Sequence, residues 1–207
     1  MGRFIDFIRH ANAVLPEGIT DDRKRVLSPI GTRQARAFGE ARRIAREHYR
    51  HVILSGIDRT VDTAQHIMNV LGLGCQLHIV PAMFDPEKLD QDTAARQLLY
   101  KKLGSAPLAH YHDLAIGVMI SLGLAAADKL QSIFRQHPNG NILIVGHGVY
   151  TNEVILDTFM RDLTSDMKDR LLNDPALAEC AGYRLMFDDG GNLRDLLRLP
   201  AIILDGV

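Results

Sequence analysis

The sequence predicts an α/β fold with a mostly parallel sheet and helices on both faces. Short apolar runs at residues 4–8 and 142–145 have the length and composition of buried strands. Segments with apolar residues at helical spacing lie between these runs, and strands that alternate with helices are typical of a parallel sheet. A hairpin pattern near the end of the chain adds antiparallel strands at the sheet edge.

The first predicted helix follows the strand at 4–8 after a loop. Ser28 suits its N-cap, and Pro29 suits its first position, where a missing N–H leaves no helical hydrogen bond unmade. Apolar residues then recur at helical spacing, so we expect this helix to continue to about residue 47.

A strand–helix–strand unit comes next. The β-rich run at 51–54 precedes a helical pattern over about 59–71, which Gly72 and Gly74 end. A third strand is predicted at 77–80, where a proline stops it.

The segment of about residues 82–138 contains no clear strand pattern. Helical patterns occupy it near 93–103 and over about 113–136, and a turn at 137–140 ends it. We expect a helical insert over the carboxyl edge of the sheet, within a single domain that spans residues 1–207.

After the strand at 142–145 and a further helix, the chain ends in a predicted hairpin. Its strands are expected at 183–187 and 193–199, and the turn at 188–192 is rich in Asp, Gly and Asn. This hairpin should pair antiparallel at the edge of the sheet.

The composition is that of an ordinary globular protein. Hydrophobic residues make up 46% of the chain, the net charge is -1 and the pI is about 6.7, so no global field favours nucleic acid or a membrane. The chain shows no targeting segment or membrane-spanning run, and Cys75 and Cys180 lack the spacing of a metal site or a disulfide framework. We therefore expect a cytoplasmic protein with no nucleic-acid or membrane partner.

Polar side chains follow three of the predicted strands. Arg9 and His10 follow the first, Ser55 and Arg59 follow the second, and His147 follows the run at 142–145. The carboxyl ends of parallel strands meet at the edge where open α/β sheets bind ligands. Guanidinium groups match phosphoryl oxygens, a neutral imidazole is a competent nucleophile, and a second, protonated imidazole would stabilise the transferring group. The sequence therefore supplies the groups for phosphoryl transfer except an acid for the leaving group.

The basic run at 23–25 and the remaining histidines are not assigned a definite role. The run Arg23-Lys24-Arg25 is either a solvated loop or an attraction for an anionic substrate. His78 is expected to be half-buried in its strand. His110 and His112 could be two metal ligands, but no carboxylate or cysteine lies at a suitable spacing from them, so no metal site is predicted. Three more histidines have no evident partner in the sequence: His48, His51 and His66.

Four ordered motifs resemble those of the histidine phosphatase superfamily, also called phosphoglycerate mutase-like. They are Arg9-His10-Ala11, the helix start at 27–35, the block at 54–64 and the second histidine motif at 144–148. The sequence at 9–13 and 21–27 looks more like the small phosphohistidine phosphatase branch. Ala11, Gly56 and Thr60 replace residues that are usual in the family, and none of these changes removes a reactive group.

The resemblance implies roles for the matching residues. His10 would be the phosphorylated nucleophile, and the rest of the phosphate pocket would be Arg9, Arg59 and His147. The residues expected to bind substrate are Asn12, Ser55 and Gly148. The general acid is expected just past the third strand, at Asp85 in preference to Glu87. If neither is the acid, solvent or a carboxylate from elsewhere must supply the proton. The family needs no metal or other cofactor.

The implied function is a metal-independent phosphatase that forms a phosphohistidine intermediate and acts on a phosphorylated small molecule or a phosphoprotein, with phosphohistidine as one candidate substrate. The alternatives are a phosphoglycerate-mutase-type phosphotransferase, a broad phosphomonoesterase, and a non-catalytic module that binds phosphorylated ligands. The apolar helix over 113–136 either caps the core or forms the contact of a homodimer.

Overall fold

The computed structural model describes residues 2–72, 74–83 and 98–204. The eight strands in these residues are β1 (Phe4–Arg9), β2 (Ala13–Val14), β3 (Val26–Leu27), β4 (His51–Leu54), β5 (Gln76–Ile79), β6 (Ile142–Gly146), β7 (Gly182–Phe187) and β8 (Leu193–Leu199). Six of them form one sheet in the order β5-β4-β6-β1-β7-β8. The first four strands of this order pair in parallel, whereas β7 pairs antiparallel with both β1 and β8. This arrangement confirms the predicted fold class.

Helices cover both faces of the sheet. They are α1 (Pro29–Ile44), α2 (Asp58–Leu71), α3 (described at 98–103), α4 (Leu108–Gln136), α5 (Gly148–Thr158) and α6 (Ser165–Asn173). Alternate residues of β4 separate the two layers: Val52 and Leu54 pack with α1 and α2, whereas Ile53 packs with α4 and α5. The strand is therefore buried on both faces, which explains the continuous apolar run at 52–54.

Helix α4 lies along one face of the sheet and returns the chain to the amino end of β6. Its buried residues Met119, Leu122 and Ala126 belong to the same core cluster as Ile53. The chain kinks at Ala115, which has non-helical backbone angles. The division of the chain into one domain with an insert at about 82–138 stays a prediction. Among the described residues, no helix combines the length and hydropathy that a bilayer span requires.

A buried network of charges joins β1 to β7 and to the end of α1. The carboxylate of Asp6 is fully buried and accepts two hydrogen bonds of 2.7 Å from the Arg184 guanidinium. The Tyr49 hydroxyl donates a third, at 2.6 Å. Arg184 also pairs with Glu47, so three distant parts of the chain meet at one guanidinium.

Helix α1 ends three residues earlier than the periodicity predicts. Arg46 takes a left-handed conformation with φ of 56°, and the Glu47 N–H bonds to the carbonyl of Arg42 at 3.0 Å. This backbone turn usually contains glycine. Here the Glu47 side chain pairs with Arg42 and with the distant Arg184, and these contacts favour the turn over another helical residue.

The ribbon of β2 and β3 was not predicted. Each strand has two residues, with Ala13 opposite Leu27 and Val14 opposite Val26. Two residues are too few to show strand periodicity. The ribbon closes the loop that follows His10 and leads it back to α1.

Candidate active site

The predicted reactive residues meet at the carboxyl ends of β1, β4 and β6. His10 follows β1, Ser55 follows β4 and His147 follows β6, and all three are at least 95% buried. Arg59 comes from the first turn of α2 and is 2% exposed. The parallel register of the three strands, in which Ile8 and Leu54 both lie opposite Val145, brings these segments to one edge.

His10 presents one ring nitrogen to the pocket and uses the other to fix its orientation. Its Nδ1 lies 2.7 Å from the carbonyl oxygen of Ala11, so that nitrogen carries the proton and Nε2 keeps its lone pair. The backbone N–H of His10 bonds to the Gly146 carbonyl at 3.0 Å. Burial, together with the positive charge of Arg59, lowers the pKa of His10 to about 3. The imidazole is therefore neutral at physiological pH, as a nucleophile must be.

Arg59 lies directly beside the unprotonated nitrogen of His10. Its Nε donates a hydrogen bond of 3.1 Å to His10 Nε2. The ends of the same guanidinium bond to the Asp22 carbonyl at 2.7 Å and to the Asp22 carboxylate at 2.9 Å. Burial lowers the pKa of Arg59, and the Asp22 charge opposes that effect. The carboxylate contact shows that this guanidinium can donate hydrogen bonds to a negatively charged oxygen.

His147 and Ser55 form the opposite side of the pocket. The ring centroid of His147 lies 5.3 Å from that of His10, and its Nε2 is 2.9 Å from the Ser55 hydroxyl. The Thr60 hydroxyl lies 3.1 Å from the same Ser55 oxygen. Burial, and then the nearby His10, holds the pKa of His147 well below its usual range. This direction differs from the expectation of a protonated second imidazole.

Arg9 is anchored beside the pocket. Its guanidinium donates to the Leu177 carbonyl at 2.8 Å and lies 3.6 Å from the Glu179 carboxylate. Its charge contributes to the lowered pKa of both His10 and His147, so it acts on the pocket through space.

The loop after the nucleophile is held by α1 and α2. The Ala11 N–H donates to the Thr63 hydroxyl at 3.0 Å, and the Asn12 N–H donates to the Gln34 side chain at 2.9 Å. The Asn12 side-chain oxygen accepts a bond of 2.7 Å from the Ser28 hydroxyl. Of the three residues expected to bind substrate, Asn12 thus uses its side-chain oxygen within the protein.

A glycine lets α1 approach this loop. A Cβ added at Gly31 would lie 2.0 Å from the Asn12 carbonyl oxygen. The motif over 27–35 therefore has a structural explanation, because its serine, glycine and glutamine all position the segment that follows His10.

The remaining predicted residues have different outcomes. Gly148 begins α5 with a φ of 35°, next to His147. Asp85 and Glu87, the two candidate acids, lie outside the described residues.

Two residues of the loop before α1 contribute more than the sequence indicated. The Arg25 charge lowers the pKa of His10, and its guanidinium lies 3.6 Å from Asp22, the residue that binds Arg59. The basic run at 23–25 was the only signal for Arg25. No sequence pattern indicated the contact of Asp22 with Arg59.

Comparison with known proteins agrees with the motifs and the fold. Residues 5–84 match the sequence model of the histidine phosphatase superfamily (branch 1), a segment that contains three of the four motifs. None of the curated proteins matches the chain in sequence.

Solved structures of phosphatases share the fold over nearly the whole chain. The protein histidine phosphatase SixA, solved with tungstate, is 14% identical, with a TM-score of 0.59 and coverage of 94% of this chain and 96% of that one. A mycobacterial glucosyl-3-phosphoglycerate phosphatase is 14% identical, with a TM-score of 0.60 and coverage of 96% and 97%. Phosphoserine phosphatase from Entamoeba histolytica, solved with 3-phosphoglyceric acid, is 17% identical, with a TM-score of 0.57 and coverage of 98% of each chain.

The sequence match and the structural match support each other. Residues 5–84 carry the sequence pattern of the histidine phosphatase superfamily (branch 1), and nearly the whole chain shares its fold with the three phosphatases described above.

Proposed function

We propose that the protein is a metal-independent phosphatase that hydrolyses its substrate through a phosphohistidine on His10. The observation that carries this proposal is the state of His10: a buried, neutral imidazole whose Nδ1 is fixed by Ala11 and whose Nε2 faces Arg59. Few structural roles require a histidine with a lone pair next to a guanidinium, whereas in-line attack on phosphorus requires both.

In the first step, His10 Nε2 attacks the phosphorus atom. A nitrogen–phosphorus bond forms while the bond from phosphorus to the leaving group breaks, and the electron pair of that bond leaves with the leaving group. The guanidinium of Arg59 exchanges its contacts with Asp22 and His10 Nε2 for the phosphoryl oxygens, and Arg9 and Arg25 add positive charge nearby. His147 enters this pocket neutral and gains affinity for a proton when the phosphate dianion binds next to it.

In the second step, water attacks the phosphohistidine. An oxygen–phosphorus bond forms, the nitrogen–phosphorus bond breaks, and the electron pair returns to Nε2 of His10. Inorganic phosphate leaves and the water proton passes to solvent or to the general acid. No metal is needed for either step, since arginine and histidine side chains neutralise the phosphoryl charge.

The leaving group sets the need for an acid. An alkoxide is a poor leaving group and needs a proton, which Asp85, or in second place Glu87, would supply. A phosphoramidate leaves as an amine and depends less on such an acid. The family resemblance at 9–13 and 21–27 and the fold shared with SixA support phosphohistidine as a substrate, and the sugar-phosphate and phosphoserine phosphatases of the same fold support small phosphomonoesters.

The test compares two substrates in the presence of EDTA. Phosphate release from p-nitrophenyl phosphate and from a phosphohistidine peptide is measured for the wild type, His10→Ala and His48→Ala. The exposed His48 gives a matched control for loss of an imidazole. We expect release by the wild type and His48→Ala and none by His10→Ala, and rapid quenching should trap an acid-labile phosphoryl group on His10.

Two results would contradict the proposal. If His10→Ala still releases phosphate, His10 is not the nucleophile. If EDTA abolishes phosphate release by the wild type, the mechanism is not metal-independent. A wild type that requires a bisphosphate primer and transfers phosphate between substrates would identify a mutase instead. Asp85→Asn is then compared on the two substrates, and a selective loss on the ester would support Asp85 as the acid.

A further inference from the structure

Three histidines gather at the amino edge of the sheet, away from the candidate active site. His51 begins β4, His78 lies in β5, and His137 caps the C-terminal end of α4. Each offers a ring nitrogen, and these three atoms lie within 4.8 Å of one another. Ser55 lies four positions after His51, a distance of about 13 Å at the rise of an extended chain.

The fold places two of these rings on the same face of the sheet. His51 pairs with Gln76 and Ile53 pairs with His78, so His51 and His78 are diagonal neighbours on the face that α4 covers. Their rings meet with His51 Nδ1 at 3.2 Å from His78 Nε2. The His137 ring lies next to both and is tilted to each, with its centroid 4.2 Å from that of His51 and 5.1 Å from that of His78.

This spacing fits the coordination of one metal ion. Two nitrogens at about 2.0–2.1 Å from zinc, at the tetrahedral angle, are about 3.4 Å apart. The His51–His78 separation already matches that value, and His137 is half-buried, so a small rotation of its side chain completes a three-histidine set.

The surroundings also suit a metal. His51 and His137 line an open pocket of about 480 Å³, which provides room for a water as the fourth ligand. The Arg50 guanidinium is close enough to act on His51, and its charge weakens the binding of a cation.

We propose that His51, His78 and His137 bind a divalent transition metal, with zinc as the best fit and water as its fourth ligand. All three ligands are imidazoles, which suit zinc, cobalt, nickel and copper, whereas magnesium and calcium prefer oxygen ligands. The ion would join the start of β4, β5 and the end of α4, three segments that are far apart in sequence. Binding at this site would therefore stabilise the fold, and the site lies apart from His10.

The test uses untagged, full-length protein freed of metal by a chelator. Zn²⁺ and Co²⁺ are titrated by calorimetry, and Co²⁺ binding is also followed by the intense visible absorption of four-coordinate cobalt. The variants are His78→Ala, His137→Ala and, as controls for loss of a histidine elsewhere, His48→Ala and His10→Ala. Circular dichroism confirms that each variant is folded.

We expect one Co²⁺ per wild-type chain with a four-coordinate spectrum, and a Zn²⁺-dependent rise in Tm. Both should be lost in His78→Ala and His137→Ala and kept in His48→Ala and His10→Ala. Binding that persists in both cluster variants would overturn the proposal, and so would loss of binding in His10→Ala, which would place the ion in the catalytic pocket. A wild type with neither signal would overturn it as well.

Discussion

His10 differs from an exposed histidine in its charge and in the direction of its lone pair. Burial and the charge of Arg59 favour the neutral ring, and the Ala11 carbonyl holds the proton on Nδ1. At the scale of single residues, the reactivity of the site depends on these two constraints.

The charge state of His10 can be measured directly. Since its pKa is lowered to about 3, the neutral form is present at every pH well above that value. We expect the ring resonances of His10 in the free protein to stay constant between about pH 5 and 8. An NMR titration, with His10→Ala to assign the signals, tests this, and a midpoint near the ordinary histidine value would contradict the buried, cation-lined environment.

Arg59 is predicted to stabilise the transition state for phosphoryl transfer. Arg59→Ala removes the donor next to His10 Nε2. It should cost at least about 2 kcal/mol of transition-state stabilisation, which lowers kcat/KM about 30-fold. Arg59→Lys keeps a charge but loses the planar group, so its loss should be intermediate. Steady-state kinetics measure both variants, and an Arg59→Ala protein within threefold of the wild type would exclude this role.

At the scale of elements, α1 acts as a support for the catalytic loop. Its first turn approaches Asn12 so closely that only glycine fits at position 31. Helix α1 therefore contributes to the site although it carries none of the groups assigned to the reaction.

Gly31→Ala should lower activity without unfolding the protein. The added methyl group must displace the Asn12 carbonyl by more than an ångström, which moves the segment next to His10. We expect a fall in kcat of at least about tenfold, measured with the same phosphate-release assay. The control is Gly117→Ala on the exposed face of α4, where a Cβ meets nothing within 4 Å. That change should leave kcat unaltered and stabilise the helix by about 0.5–1 kcal/mol.

The sequence predicted the elements that combine an apolar period with clear end signals. β1, β4, β6 and the hairpin of β7 and β8 fall where the patterns place them, because each is an apolar run bounded by turn residues. The end of α1 could not be predicted, since Arg46 turns there in response to contacts of Glu47 with Arg184, 137 positions further on.

The same distinction holds for the site. His10, Ser55, Arg59 and His147 follow from strand ends and motifs, because adjacent parallel strands bring their carboxyl ends together. The Asp22 contact and the histidine cluster at the amino edge arise from side chains in unrelated segments. A local sequence pattern does not predict contacts between side chains from distant segments.

At the scale of the whole molecule, the network around Arg184 holds the sheet together. Arg184→Ala would leave the carboxylate of Asp6 fully buried without its guanidinium partner. The expected loss is about 3–5 kcal/mol in the free energy of unfolding. Arg194→Ala, in the same hairpin but exposed and paired only on the surface with Asp188, should change it by less than about 1 kcal/mol. Urea denaturation measures both, and equal losses would contradict the importance of the buried network.

The position of β1 also has a consequence for synthesis of the chain. The partners of β1 in the sheet are β6 and β7, so Ile5 pairs with Ile142 and Leu185. At about 5–20 residues per second, a ribosome completes β7 roughly 10–40 s after β1. During that interval the segment at 4–8 lacks first both and then one of its partner strands, and an apolar strand with an open edge is prone to aggregate. The charge of Asp6 in the middle of this segment opposes such association, so the carboxylate that later binds Arg184 first protects the nascent chain.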